Sequence, residues 1–326
     1  MLKYVIKRIL MIIPTMFIVT FIVFWLINIT PADPGRIILG AEASQDLVDQ
    51  VNHDLGYDLP LVQRYFKWVG DALHGDLGNS YYTKRPVYDE MMARFPYTVK
   101  LTFLSLGMAI LIGLPLGVLC AVKQYSIADN ILSTLSMFLA AMPAFWLGLL
   151  LLLQFSLRLG WFPSSGITLG WRSWVLPTFS LAVGYTASYL RYTRSAMLDT
   201  IRQDYVRTVR SKGCPESTVI WKHAFRNSMM TLVTITGMSL AGLLGGAFVI
   251  ESVFSIPGLG LMGVTAIKRK DLPQIMASLV MLGTFFLVMM VVIDILYAFI
   301  DPRIKSKYET PKKKVSEKNK DVEGSI

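Results

Sequence analysis

The sequence predicts an all-α membrane protein with six transmembrane helices and a small helical insertion on the extracytoplasmic side. Composition is the first reason: 53% of the 326 residues are hydrophobic and mean hydropathy is +0.50, more apolar than an ordinary soluble domain. The second is pattern. Uncharged runs at residues 9–29, 101–122, 131–157, 173–190, 227–250 and 272–293 are each long enough for a helix to cross ~30 Å of hydrocarbon, which takes about 20 residues. The third is that Lys and Arg gather in alternate connecting segments.

The first run follows Lys3, Lys7 and Arg8. It is long for a secretion signal and lacks a small-x-small cleavage site, so 1–29 is expected to be a retained anchor helix. Residues 30–96 form the one sizeable insertion, expected as an extracytoplasmic cap. It opens with the turn signal Pro31-Ala32-Asp33-Pro34-Gly35. Helical spacing follows at 44–55 and 61–73, the latter with Leu61, Tyr65, Trp68 and Val69 on one side.

Residues 97–300 hold the remaining spans. Gly113 and Gly117 flank Pro115 in the second, and Gly242 and Gly246 lie in the fifth beside Gly245. Small residues one turn apart let helix backbones approach closely, for packing or to line a path. Pro143 and Pro177 are expected to break the third and fourth helices. Asp294 is the one ionisable group well inside a nominal span, close enough to its cytoplasmic end to pair with a nearby basic group. Residues 301–326 are polar and Lys-rich, the composition of a disordered tail.

The most distinctive segment, 196–226, connects the fourth and fifth spans. Leu198, Ile201, Tyr205 and Val209 recur at helical spacing, with Arg202, Arg207, Arg210 and Lys212 on the other faces. Gly213 suits a helix stop in a positive-φ conformation, and Pro215 suits the first turn of a second helix that runs into the fifth span. Two helices hinged at a glycine and anchored to spans at both ends make a lever. An amphipathic hairpin lying on lipid headgroups is the alternative for the same pattern.

With the N-terminus cytoplasmic, most basic residues, including those of 191–226 and the tail, fall on the cytoplasmic side, and acidic residues gather opposite. The net charge of +10 is therefore a cytoplasmic property suited to anionic headgroups or a protein partner, not to nucleic acid. Cys120 and Cys214 are placed for neither a disulfide nor a metal site, and three histidines are scattered. There is no GxxxxGK[ST], GxSxG or HExxH sequence. The sequence thus offers no catalytic or metal centre, and no means for this chain to hydrolyse ATP.

Taken in order, several motifs resemble the dipeptide, oligopeptide and nickel class of type I ABC importer permeases, in particular the B-type subunits. They are Gly75-Asp76-Leu77-Gly78-Asn79-Ser80, Arg94-Phe95-Pro96-Tyr97-Thr98, Leu159-Gly160-Trp161-Phe162-Pro163, Arg191-xx-Arg194-Ser195, Asp204-Tyr205-Val206-Arg207-Thr208 with Lys212-Gly213, His223-Ala224-Phe225-Arg226-Asn227, Phe254-Ser255-Ile256-Pro257-Gly258-Leu259-Gly260, and Asp301-Pro302-Arg303. The resemblance spans nearly the whole chain and implies the type I permease fold. In that family a cytoplasmic loop with an EAA-xxx-Gly signature and a later I-x-L-P docks into the ATPase. Aligned on Gly213, the EAA positions are Arg207, Thr208 and Val209, and the I-x-L-P positions fall on His223, Phe225 and Arg226. A basic residue at the acidic position is similar to the peptide-permease branch, and it removes the basis for a Glu-to-Arg contact with the ATPase.

The resemblance implies a lever that couples to ATPase subunits through Asp204, Tyr205, Arg207, Thr208, Arg210, Lys212, Gly213, Glu216, His223 and Arg226. The loop with Phe254, Pro257, Gly258 and Gly260, rich in Gly, Pro and aromatic residues, suits a fixed outer gate, and Gly113, Gly117, Pro143, Gly242 and Gly246 suit helix packing or a translocation path. The expected partners are a second homologous permease subunit, two ATPase subunits, a solute-binding protein and the lipid bilayer. No cofactor is expected on this chain, with ATP and Mg in partner subunits. The expected location is the cell (inner) membrane of a bacterium or archaeon with both termini cytoplasmic, and the substrate is expected to be peptides, with nickel chelates, glutathione or oligosaccharides as alternatives. A secondary transporter would instead show inverted repeats and midplane carboxylates, and an embedded enzyme a polar catalytic cluster. The sequence shows neither.

Overall fold

The computed structural model describes residues 2–29 and 33–300, with side chains for 10–29, 33–293 and 295. The expected tail at 301–326, the Asp301-Pro302-Arg303 motif, the first residues of the expected turn at 30–32 and the Asp294 side chain lie outside the described residues. The helices are α1 (Leu2–Ile29), α2 (Pro34–Leu39), α3 (Gln45–Asp54), α4 (Leu61–Leu73), α5 (Val87–Val122), α6 (Ile127–Ala141), α7 (Ala144–Leu151), α8 (Arg172–Ile201), α9 (Asp204–Ser211), α10 (Glu216–Thr218), α11 (Arg226–Phe254), α12 (Leu259–Arg269) and α13 (Leu272–Ile300). Wider π-helical turns continue α7 over Leu152–Arg158 and join α10 to α11 over Val219–Phe225. No strand forms among the described residues, only an isolated bridge from Asn79 to Pro86.

The axis of the bundle is α8. Lys100 lies 4.5 Å over the Trp174 ring, Ser105 donates to the Thr178 carbonyl, and Gly113 and Gly117 face Tyr189 and Thr193. This order makes α5 and α8 parallel. In contrast, α11 runs the other way: Gly246 faces Leu181, Gly242 faces Tyr185, and the Tyr189 hydroxyl reaches Thr236 at 2.8 Å. Leu101, Ala109, Leu181, Tyr189, Leu243 and Ile250 fill the space between the three helices. In lipid the hydrophobic effect does not press helices together, so close packing and hydrogen bonds must. The glycines supply the first. A Cβ on Gly113 would stand 2.7 Å from the Thr186 carbonyl oxygen, and one on Gly117 2.6 Å from that of Leu190.

By length and apolarity four helices qualify as membrane spans among the described residues: 10–29, 87–122, 216–254 and 272–293. The third expected span is not straight, since α6 and α7 meet at 97°. Pro143 is the cause: it lacks an N–H, and it holds Met142 extended at φ −75°, ψ 126°. The pair still carries the chain across. Asp129 at its start pairs with Arg194, whereas Gly166 beyond its end donates to the Phe254 carbonyl at the other end of the bundle. That makes five. The sixth, expected at 173–190, is not established: α8 is 30 residues long and runs beside α5, but it does not qualify as a span by length and apolarity. Pro177 does not break it either, because it sits in the second turn, where few backbone bonds precede it.

The insertion folds as α2, α3 and α4. Asp33 caps α2, and Asn52 of α3 ties to both Asp33 and the Gly35 N–H. The face expected on α4 is the one that packs: Tyr65, Leu61, Trp68 and Val69 meet Phe24 of α1 and Met276 of α13. The Tyr65 hydroxyl donates to the Phe17 carbonyl at 2.9 Å and lies 2.8 Å from Thr20. The insertion is thereby stapled to the side of α1.

Candidate functional site

The two expected sites form at opposite ends of the bundle, because α5 and α8 both run away from the insertion and toward 196–226. At the latter end the expected continuous helix is interrupted. Leu198 and Ile201 close α8, the chain turns at Arg202–Gln203, and α9 starts afresh at Asp204. Val206, not Tyr205 or Val209, is the fully buried residue of α9. Gly213 has φ +75° with open space around it, and Pro215 precedes α10. The second half is fastened to the spans by Ile220 and Ala224, which pack with Val118, Ala121 and Met197.

Some of the lever residues are brought together. The Asn227 amide donates to the Tyr205 hydroxyl at 2.6 Å and to the His223 carbonyl at 3.0 Å, locking α9 against the π-helical stretch. Arg210 forms a two-point pair with Glu216 at 2.6 and 3.1 Å across Gly213, and the carboxylate beside it pushes the guanidinium further above its ordinary range. Thr208 donates to the Asp204 carbonyl within α9. Arg207, Lys212 and Arg226 are exposed, as are Lys222 and Trp221, and no side-chain partner holds the first three among the described residues. The result is a rigid hinge that presents an open basic surface with one indole on it.

At the other end, Gly258 and Gly260 of the expected gate close over a residue that had no signal in the sequence, Glu251, while Phe254 and Pro257 follow it in the chain. It is fully buried. Its carboxylate accepts from Thr98 Oγ1 at 2.6 Å and the Leu261 N–H at 3.1 Å. A Cβ on Gly258 would lie 2.3 Å from its carboxyl carbon, and one on Gly260 2.8 Å from an oxygen. Ser255 takes the left-handed conformation (φ 51°) that turns α11 into this loop. Phe254 is buried beside Gly148 of α7.

Two further carboxylates are buried just outside the expected apolar runs. Asp129 accepts from Arg194 Nε at 2.6 Å and Nη2 at 2.8 Å, and from the Tyr125 N–H at 2.9 Å. Asp271 caps α13 and binds Ser80 and the Tyr82 N–H, which fixes the 79–86 loop. A signal for Asp129 was available: Ser126-x-x-Asp129 is a helix-start pattern, and Ser126 does cap the Asp129 N–H. No comparable signal existed for Glu251. Among the described residues no group of three His, Cys, Asp or Glu is placed to hold a metal.

Gly242 and Gly246 meet α8 around Leu181 and Tyr185, near a cavity that Met142 and Ala144, on either side of Pro143, also line, while Gly113 and Gly117 meet it one to two turns further along. A helix axis flanked by close-packed glycines, with the Gly213 hinge at one end and the loop around Glu251 at the other, is consistent with the permease fold that the resemblance implies. The fold agrees: the inward-facing MetNI methionine ABC transporter superposes with TM-score 0.56 at 20% identity, over 65% of this chain and 96% of that one.

The chain belongs to the binding-protein-dependent transport system inner membrane component family, whose pattern matches residues 113–306, with the family's N-terminal region matching 1–102. It is 39% identical to the glutathione transport system permease protein GsiC of Escherichia coli strain K12, over 94% of this chain and all of that one. The GsiC proteins of Shigella dysenteriae serotype 1 and Shigella flexneri serotype 5b match to the same extent. It is therefore the membrane permease subunit of an ABC importer, a multi-pass inner-membrane component that works with ATPase and substrate-binding partners.

Proposed function

We propose that this chain forms half of the translocation path of a peptide importer, pairing with a second, related permease subunit above two ATPase subunits that bind ATP and Mg. The insertion (30–96) and the Glu251 loop face a solute-binding protein outside the membrane. Both termini and the 196–226 lever are cytoplasmic, and the lever docks on the ATPase through its open basic surface. The chain itself performs no covalent chemistry. ATPase closure moves the lever, and the lever moves α8 and α11 as rigid bodies.

The observation that carries the peptide reading is the full-length likeness to glutathione permeases, glutathione being itself a small peptide. Nickel chelates and oligosaccharides remain the other members of this transport class to test. The complex, reconstituted with its genomic-neighbour subunits and binding protein in proteoliposomes, should take up labelled glutathione or a dipeptide only with ATP inside the ATPase compartment. Uptake of nickel chelate or oligosaccharide but neither peptide overturns the substrate, and uptake independent of ATP overturns the importer mechanism.

A further inference from the structure

At the bend of the broken span lies a cavity of about 260 Å³, lined on one side by Met142, Ala144 and Leu147 and on the other by Ser180, Gly184, Tyr185 and Ser188 of α8. It lies at mid-depth of the neighbouring spans: Gly242, near the centre of the run 227–250, meets Tyr185, and Gly113, at the centre of the run 101–122, meets Tyr189 one turn further along α8. A polar cavity is unexpected there, because nothing in the hydrocarbon region rewards hydroxyls. The cavity exists because Pro143 diverts the chain, and Gly184 leaves the wall open, with nothing within 4 Å of where its Cβ would be.

The hydroxyls lining it are not equal. Ser180 and Ser188 donate to the Pro177 and Gly184 carbonyls of their own helix. Tyr185 differs: its hydroxyl lies over Gly242, whose missing side chain makes room for it, and it has no hydrogen-bond partner among the described residues. The lining carries no charge. Such a surface can pair weakly with amide groups and release them, which passage through a membrane requires.

We infer that this cavity is the mid-membrane contact for the transported substrate, an amide-bearing small molecule of the peptide type, and that the Tyr185 hydroxyl is its specific hydrogen-bond donor. This rests on the importer-of-peptides reading. The Tyr185→Phe change keeps the ring over Gly242 and removes only the hydroxyl. The variant complex should assemble in wild-type yield and hydrolyse ATP at the wild-type rate, while substrate moved per ATP falls about fivefold, the worth of one hydrogen bond.

A readout independent of activity uses single cysteines at Gly184 and Ser188 in a chain lacking Cys120 and Cys214, with Leu150→Cys on the exposed face of α7 as control. In the assembled complex a charged methanethiosulfonate should modify the first two and not the third, and S-methylglutathione or dialanine, delivered by the binding protein, should slow the reaction. Cysteines that do not react, or react at a rate neither peptide changes, overturn the inference. So does wild-type transport per ATP in Tyr185→Phe. If the wild-type complex transports neither peptide, it is the peptide reading that fails.

Discussion

Thr98 and Glu251, 153 positions apart, share a hydrogen bond of 2.6 Å inside the protein, and the same Thr98 oxygen accepts from the Leu259 N–H at 2.8 Å. One hydroxyl thus joins α5, α11 and α12 at the end of the bundle that carries the insertion. The expected gate residues are not a free loop but a wrap around a buried carboxylate.

Removing the carboxylate should loosen that wrap. Glu251→Ala orphans the Thr98 hydroxyl and the Leu261 N–H, at about 1–3 kcal/mol for each buried group left unpaired. Gly258→Ala should be comparably harmful, since its Cβ would strike the carboxyl group, whereas Gly245→Ala in open space should be tolerated. Thermal unfolding of the detergent-solubilised complex checks all three, and equal midpoints for Gly258→Ala and Gly245→Ala would contradict the cradle.

Two ion pairs of similar length should differ in worth. Asp129 is buried against Arg194, so Asp129→Ala strands a cation and should cost about 3–5 kcal/mol. Arg194→Lys should recover only part of this, because an ammonium cannot make the two-point contact. Both partners of Arg210–Glu216 are exposed, and Glu216→Ala should cost less than about 1 kcal/mol. The same melting assay separates them, and a loss in Glu216→Ala as large as that in Asp129→Ala would be the contrary result.

At the hinge the effect should fall on coupling and not on insertion. Gly213 has φ +75° and empty surroundings, so a side chain there strains only the backbone, by about 1 kcal/mol for Ala and more for Val. Gly213→Val should reach the membrane but lose transport coupled to ATP hydrolysis. Arg207→Glu should weaken ATPase co-purification, more at low salt than at high. Wild-type uptake and ATPase recovery in both variants would leave the lever as a lipid-bound hairpin.

Orientation is testable at two exposed positions on opposite ends of the bundle. In a chain lacking Cys120 and Cys214, Asn79→Cys should be labelled by an impermeant maleimide in intact cells and Ser217→Cys should not. Equal labelling, or labelling of Ser217→Cys alone, reverses the arrangement.

Two helices of the insertion, α3 and α4, the apolar spans at 101–122, 227–250 and 272–293, the hinge at Gly213 and the packing face of α4 were legible in the sequence, whereas α2 forms where only a turn was expected. These are local properties: periodicity, chain stiffness and the backbone freedom of glycine and proline act within a few residues of where they are written. The family motifs were legible for the same reason, as short strings in a fixed order.

Distance in sequence hid the rest. The pairs Thr98–Glu251, Asp129–Arg194 and Ser80–Asp271 each join residues far apart in the chain, and a carboxylate at the end of an apolar run looks the same whether it meets solvent or a buried hydroxyl. The bend angle at Pro143 was equally invisible. Proline dictates that the helix stops, but the direction in which it resumes is set by what α7 packs against. The sequence by itself determined an all-helical membrane chain, its hinge and its family. Only the tertiary structure decided which helix is the axis, where the buried acids find their hydrogen-bond partners, and that the broken span leaves a polar cavity beside Tyr185, because each depends on surfaces that meet only once the helices have packed.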